Sequence, residues 1–233
     1  MKIDVYASGS SGNCYRISDG RTTLLLEAGI PLSAIRRATG FTMSQVAGCL
    51  ITHAHGDHAK AAAQLAKSGV DLYTGGGTID ALNLTGHRIH AVKSLAEFRL
   101  GSFKILPFDV EHDAPEPLGF LCTSTATGDK LLYFTDTYFI RYRFQGLTHI
   151  MCECNHSAEL IRDSASGGAV NTKLAVRVVG SHMSLEHLLG FLRANDLSRV
   201  RQIYLLHMSR DNADPEHFKE VVARETGTEV YIA

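Results

Sequence analysis

The chain has 233 residues, of which 45% are hydrophobic and 20% charged, enough to bury a substantial core and ordinary for a folded globular protein. Its 23 Lys and Arg against 24 Asp and Glu leave a formal net charge of −1, which excludes a chain drawn as a whole to nucleic acid or anionic membrane; a polyanionic partner must be held by a local patch. No stretch approaches the ~20 uninterrupted apolar residues that a bilayer crossing needs, so a helical integral membrane protein is excluded too.

Met1-Lys2-Ile3-Asp4-Val5-Tyr6 opens as a strand with an acid inside it, unlike a secretory signal with its apolar core, so a cytoplasmic protein is expected. The first strand runs from Lys2 to Ala7, and Cys14 to Ile17 and Thr22 to Leu26 read as two more. Between them Ser8-Gly9-Ser10-Ser11-Gly12-Asn13 is either a plain hairpin loop or one whose glycines and serines leave amides free to approach an anion. Pro31 opens a helix over Leu32-Ser33-Ala34-Ile35-Arg36-Arg37-Ala38, with Gly40 as its stop.

The apolar run Gly48-Cys49-Leu50-Ile51 then leads into Thr52-His53-Ala54-His55-Gly56-Asp57-His58. Three imidazoles and a carboxylate in six positions form the donor set of zinc, iron and manganese sites. A chain extended through this stretch would point His53 and His55 to one side and Asp57 and His58 to the other, giving two neighbouring cations part of their shell each.

A helix is expected to follow as far as Lys67, then a short strand from Val70 to Tyr73. Gly75-Gly76-Gly77 lacks the trailing lysine of a phosphate loop and reads as a flexible turn. Glu97 to Val110 alternates like a hairpin turning at Gly101-Ser102 and delivers His112. Leu118 to Ser124 and Lys130 to Thr135 read as a second hairpin, delivering Asp136. His149 to Glu153 is a further strand, Ser164-Ala165-Ser166-Gly167-Gly168 a mobile connection, and Ser184 caps a helix to Arg193. Gln202 to Leu206 ends in His207, Pro215 opens a last helix, and Glu229 to Ile232 closes the chain as a strand.

The five cysteines, Cys14, Cys49, Cys122, Cys152 and Cys154, are odd in number and mostly embedded in apolar runs, which suits reduced, buried thiols. His87, His90, His149, His187 and His217 sit in surface-like or helical contexts and are assigned no role. Arg141-Tyr142-Arg143 and Arg210 are candidate phosphate contacts, since guanidinium matches phosphate bidentately and tyrosine stacks on bases.

The stretch from His53 to His58 resembles the HxHxDH signature of the metallo-β-lactamase superfamily. Ser8-Gly9-Ser10-Ser11-Gly12-Asn13, Glu153-Cys154-Asn155-His156, His182-Met183-Ser184 and Leu206-His207-Met208-Ser209-Arg210-Asp211-Asn212 are similar to motifs of its YycJ/WalJ-like branch, over nearly the full length. The resemblance implies an α/β fold, the metallo-β-lactamase αββα sandwich of two packed β-sheets flanked by helices, as a single domain over residues 1–233. The chain is too short for the inserted cap of β-CASP nucleases.

It further implies two divalent metal ions, zinc or manganese: His53, His55 and His112 on one, Asp57, His58 and His207 on the other, Asp136 bridging, and a bridging hydroxide as nucleophile. The implied activity is phosphodiester cleavage of nucleic acid, DNA ahead of RNA, in the manner of an exonuclease. Asp57 orients the attacking water or accepts its proton, and His182, held by Glu153, stabilises the phosphate or protonates the leaving oxygen. Ser10, Asn13, His156, Arg141, Arg143 and Arg210 are the expected substrate contacts.

One departure stands out. The superfamily has Asp-x-Gly after the third strand, where a carboxylate supports the metal ligands from behind; here it is Glu27-Ala28-Gly29. A hydrolase of small thioesters, lactones or cyclic phosphates stays open as an alternative, because fold does not fix substrate. So does a metal-stabilised nucleic-acid-binding protein without turnover, for which Glu27 is the one sequence argument.

Overall fold

The structure is a computed structural model that describes residues 1–166 and 179–233, with residues 163–166 described by backbone alone. It divides into two compact units, Met1–Asp109 with Ala114–Asp129, and Val110–Asp113 with Lys130–Ala233.

In the first unit β1 (Lys2–Ala7), β2 (Cys14–Ser18), β3 (Thr23–Leu26), β4 (Val46–Leu50), β5 (Leu72–Thr74) and β6 (Ile89–Ala91) form one sheet in chain order. The first three strands pair antiparallel, and β3 through β6 pair parallel. Connection length explains the change, since short turns join antiparallel neighbours and parallel neighbours need crossovers. Those crossovers carry α1 (Leu32–Ala38), then α2 (Gly56–Ala59) and α3 (Ala62–Lys67), then α4 (Gly76–Ala81). Their apolar faces close a core in which Ile35, Ala62 and Leu65 pack with Leu25, Cys49, Ile51 and Leu72. The same unit holds an antiparallel meander of β7 (Phe98–Leu100), β8 (Phe103–Asp109) and β9 (Leu118–Ser124).

The second unit is built on four parallel strands, β10 (Lys130–Phe134), β11 (His149–Glu153), β12 (Gln202–Leu206) and β13 (Glu229–Ile232). Strands covered on both faces read as continuous apolar runs, and Ile150, Met151, Cys152, Leu205 and Leu206 are all fully buried. Its helices are α5 (Ala158–Ser166), α6 (Leu185–Arg193) and α7 (Pro215–Thr226). The Ser184 hydroxyl and the Asp214 carboxylate cap α6 and α7 by accepting from the amides of His187 and His217. No helix among the described residues is long and apolar enough to cross a membrane.

Four expectations need correction. The helix after the signature is broken, because α2 ends at Ala59 and α3 starts anew at Ala62, Ala61 donating to the Ala28 carbonyl between them. The triple glycine is no flexible turn: Gly75 caps α4, Glu116 accepts from the Gly77 amide at 2.6 Å, and a Cβ on Gly75 would stand 2.8 Å from the Glu116 carbonyl oxygen. Ser164 to Ser166 close α5 instead of forming a mobile link, while Gly167 and Gly168 lie outside the described residues. His149, read as surface, is buried on β11 with Nδ1 2.8 Å from the Thr148 hydroxyl. The five cysteines are free and buried, as expected.

Candidate metal centre

In the first unit the site grows from the carboxyl ends of β3 and β4. Past β4 the chain runs through Thr52 and His53, bends at Ala54 and His55 and enters α2, so Asp57 and His58 stand on a helical turn. Alternation along an extended chain therefore does not separate the ligands into two sides. The imidazoles crowd together, with His53 ring centroids 4.7 Å from His55 and 4.2 Å from His58.

The Glu27-Ala28-Gly29 strip after β3 holds this turn by its backbone. Ala28 N donates to the His58 carbonyl, Asn13 N to the Asp57 carbonyl, and Gly29 N to the Asn13 carbonyl. The contact at Gly29 is so close that a Cβ there would lie 1.7 Å from the Asp57 carbonyl oxygen, a place only glycine can fill. Glu27 is fully buried, with φ +64°, a left-handed angle uncommon outside glycine. One of its oxygens accepts from the Thr52 amide at 3.3 Å and lies 3.7 Å from His58 Nδ1. The longer acid thus keeps the supporting position that the motif gives to aspartate.

In the second unit the carboxyl ends of β10, β11 and β12 carry Asp136, Glu153 and His207, the end of parallel strands where ligand sites form. Asp136 and His207 are left-handed as well, at φ +46° and +52°. Asp136, Glu153, His182 and His207 each offer a ligand atom, and these atoms lie within 4.8 Å of one another. His112 joins them through Nε2, 3.8 Å from Asp136.

Glu153 is the hub of this cluster. One oxygen lies 2.6 Å from His182 Nδ1 and 3.2 Å from His207 Nδ1, and the other accepts from the amides of Thr137 and Met183. Burial alone would push its carboxyl up, but the His182 charge and the bonds from His182 and His207 outweigh it and hold Glu153 below the usual range. Burial would likewise pull His182 down, and Glu153 reverses the direction to upward. His112 is pulled down, chiefly by burial.

A common pattern tests whether these residues fit a metal. His53 Nδ1 faces the Thr52 hydroxyl at 2.9 Å, His58 Nδ1 faces Glu27, His112 Nδ1 the Ser181 carbonyl at 3.0 Å, and His207 Nδ1 faces Glu153. At His112 and His207 a carbonyl or carboxylate oxygen at hydrogen-bond distance from Nδ1 fixes the tautomer that leaves Nε2 available, which is how metal-binding imidazoles are held. The donor set fits divalent cations of the zinc and manganese type.

The expected substrate contacts divide. Ser10, Arg141, Arg143 and Arg210 are exposed, and Arg141 is paired with Glu111. Asn13 is buried, accepting from the Gly9 amide with its Nδ2 3.2 Å from His58 Nε2, so it braces the ligand turn. His156 is also buried, pulled down to about 4 mainly by burial. Sequence reasoning missed Thr52 and Asn155, whose Nδ2 donates to the His207 carbonyl at 2.8 Å. Adjacency to a ligand was the available signal, a weak one for such common residue types.

The family model of the beta-lactamase superfamily domain matches residues 22–208. The chain belongs to the beta-lactamase superfamily. It is 27% identical to the exodeoxyribonuclease YycJ of Bacillus anthracis over 227 residues, 91% of this chain and 84% of that one. It is equally identical to the exodeoxyribonuclease WalJ of Streptococcus pneumoniae serotype 2 over 229 residues, 91% and 83% of the two chains. The metallo-beta-lactamase fold protein YhfI of Bacillus subtilis superposes with a TM-score of 0.73 at 16% identity, over 99% of this chain and 95% of that one. The metallo-β-lactamase fold and the similarity to the YycJ/WalJ-like branch, both expected from the sequence, are borne out.

Proposed function

We propose that this chain is a metal-dependent phosphodiesterase that cleaves nucleic acid, DNA ahead of RNA, working from a strand end. The observation that carries the reading is the set of four imidazoles whose Nδ1 atoms each face a protein oxygen, beside carboxylates at strand ends. The exodeoxyribonuclease relatives support DNA as substrate. Within this reading the chain works as one domain, His53, His55 and His112 would hold one cation, Asp57, His58 and His207 would hold a second, and Asp136 would serve as a ligand to the pair.

When bound, two such cations neutralise a phosphodiester's charge and lower the pKa of a bound water. The protein's own groups do the rest. Asp57, with its side chain 22% exposed, accepts the proton of the attacking water. Glu153, buried and anionic, accepts from His182 Nδ1 and favours the imidazolium, whose Nε2 proton goes to the leaving oxygen. His182 retains 18% side-chain exposure, which gives the oxygen access.

The test is a screen of protein loaded with manganese or zinc on bis-p-nitrophenyl phosphate, labelled single- and double-stranded DNA, and a thioester. Cleavage of the phosphodiesters, abolished by His55→Ala, is expected, with His182→Ala losing about 10²–10⁴-fold while retaining metal. Turnover of the thioester alone would overturn the reading, and a metal-loaded protein silent on all substrates would favour a binding protein.

A further inference from the structure

A recess of about 320 Å³ opens in the second unit between the segment Phe139 to Arg143 and α6. Phe139, Tyr142, Met183, His187, Gly190 and Phe191 line it, and Met183 directly follows His182 in the chain. Its walls are aromatic and held in place. The Phe191 ring packs edge-on against Phe134 at 5.3 Å and Phe144 at 6.5 Å, and Phe144 stands 6.5 Å from Tyr142. Phe139 is 51% exposed, unusual for so large an apolar ring. Arg143 brings an exposed cation to the rim, whereas Arg141 is paired with Glu111 and Glu186 adds an acid.

Gly190 adds a separate observation. It sits inside α6, where glycine costs helix stability relative to alanine. No positive φ calls for it, and a Cβ there would meet nothing within 4 Å. Packing therefore does not account for the glycine, and the space it leaves belongs to the recess.

We propose that this recess binds the single unpaired nucleobase at the end of a nucleic-acid strand, with Arg143 on the adjoining phosphate. The proposal rests on the phosphodiesterase reading for its choice of ligand. Bases stack on aromatic rings whatever their identity, and the Arg143 guanidinium complements the phosphate they carry. The volume lies at the lower end for small-ligand sites, room for one planar ring system and its sugar. A protein partner needs an interface of roughly 1,000 Å² or more, far beyond what a recess of this size offers. Capture of an end base against Met183, the residue after His182 in the chain, would give the enzyme its preference for ends.

The test is direct binding to the metal-free protein in a chelator, using oligonucleotides with 2-aminopurine at the 3′ end, at the 5′ end or internally. Quenching confined to one terminal position is expected. Gly190→Leu, which fills the recess, is expected to weaken that binding at least tenfold with melting temperature and circular dichroism unchanged, and Gly190→Ala to leave it within twofold. Equal response of internal and terminal probes, or undiminished binding by a folded Gly190→Leu protein, would overturn the proposal. Parental protein that hydrolyses bis-p-nitrophenyl phosphate yet quenches no terminal probe keeps the phosphodiesterase reading and loses the base site. Terminal quenching sensitive to Gly190→Leu, without hydrolysis, keeps the base site and loses the hydrolase.

Discussion

A single methylene separates Glu27 from the aspartate that the superfamily motif carries. Its backbone is left-handed, and its carboxylate meets the Thr52 amide and lies 3.7 Å from His58 Nδ1. Groups that hold a ligand from behind are worth roughly 10–100-fold in metal affinity. Glu27→Ala is therefore expected to weaken metal binding by about that factor, read by competition with a chelating dye. Affinity equal to that of the parent would mean that Glu27 serves packing alone. The same backbone departure occurs at Asp136 and His207, and no residue type at these positions announces it. This explains why the identities of the site residues were legible in the sequence and their conformations were not.

Among the elements, the short β6 went unread and β5 lies one to two residues later than expected, but most strands were legible, because alternation and apolar runs set them locally. The helices were less so. α4 and α5 went unread, the first because three consecutive glycines argue against a helix until Glu116 anchors the Gly77 amide. The strip after β3 and the turn after Ile51 act as one piece, bonded carbonyl to amide. Gly29→Ala would drive a methyl into the Asp57 carbonyl, and loss of both metal binding and several degrees of melting temperature is expected. A metal titration and a melt on the same sample check both.

Elsewhere in the first unit Asp19 ties three elements together. It accepts from the Ser102 and Ser124 hydroxyls at 2.5 and 2.6 Å and from the amides of Arg21 and Thr22. Burial would raise its carboxyl, but these bonds win and hold it at about 2, below the ordinary 3.8. Its anion is favoured by folding, so its contribution is complete above pH 4 and fades as pH falls towards 2. The gap in urea midpoint between the parent and Asp19→Asn is expected to be constant from pH 7 to 5 and to shrink below 4. A gap that widened on acidification would reverse the assignment.

At the scale of the whole chain, candidate ligands occur in both units, and metal bound under the proposed reading would bind the native state alone. Cations that bind the native state alone stabilise it by about 2.7 kcal/mol at a hundredfold excess over Kd. For a chain of this size that is on the order of 5–10 °C in melting temperature, expected on adding manganese or zinc and reversed by chelator. No shift with either ion would count against the ligand assignment. What the sequence could not disclose at this scale is the recess along α6, whose lining comes from two separate segments and whose space is left by Gly190.

The left-handed ends at Asp136 and His207 carry an evolutionary corollary. Each holds a donor in a backbone well that costs of order 1–3 kcal/mol for a residue with a Cβ and almost nothing for glycine. Replacing either donor by glycine would discard the chemistry and relax the chain in one step. Selection for robustness alone would therefore steer this lineage towards inert descendants, and only continued use keeps those two positions occupied.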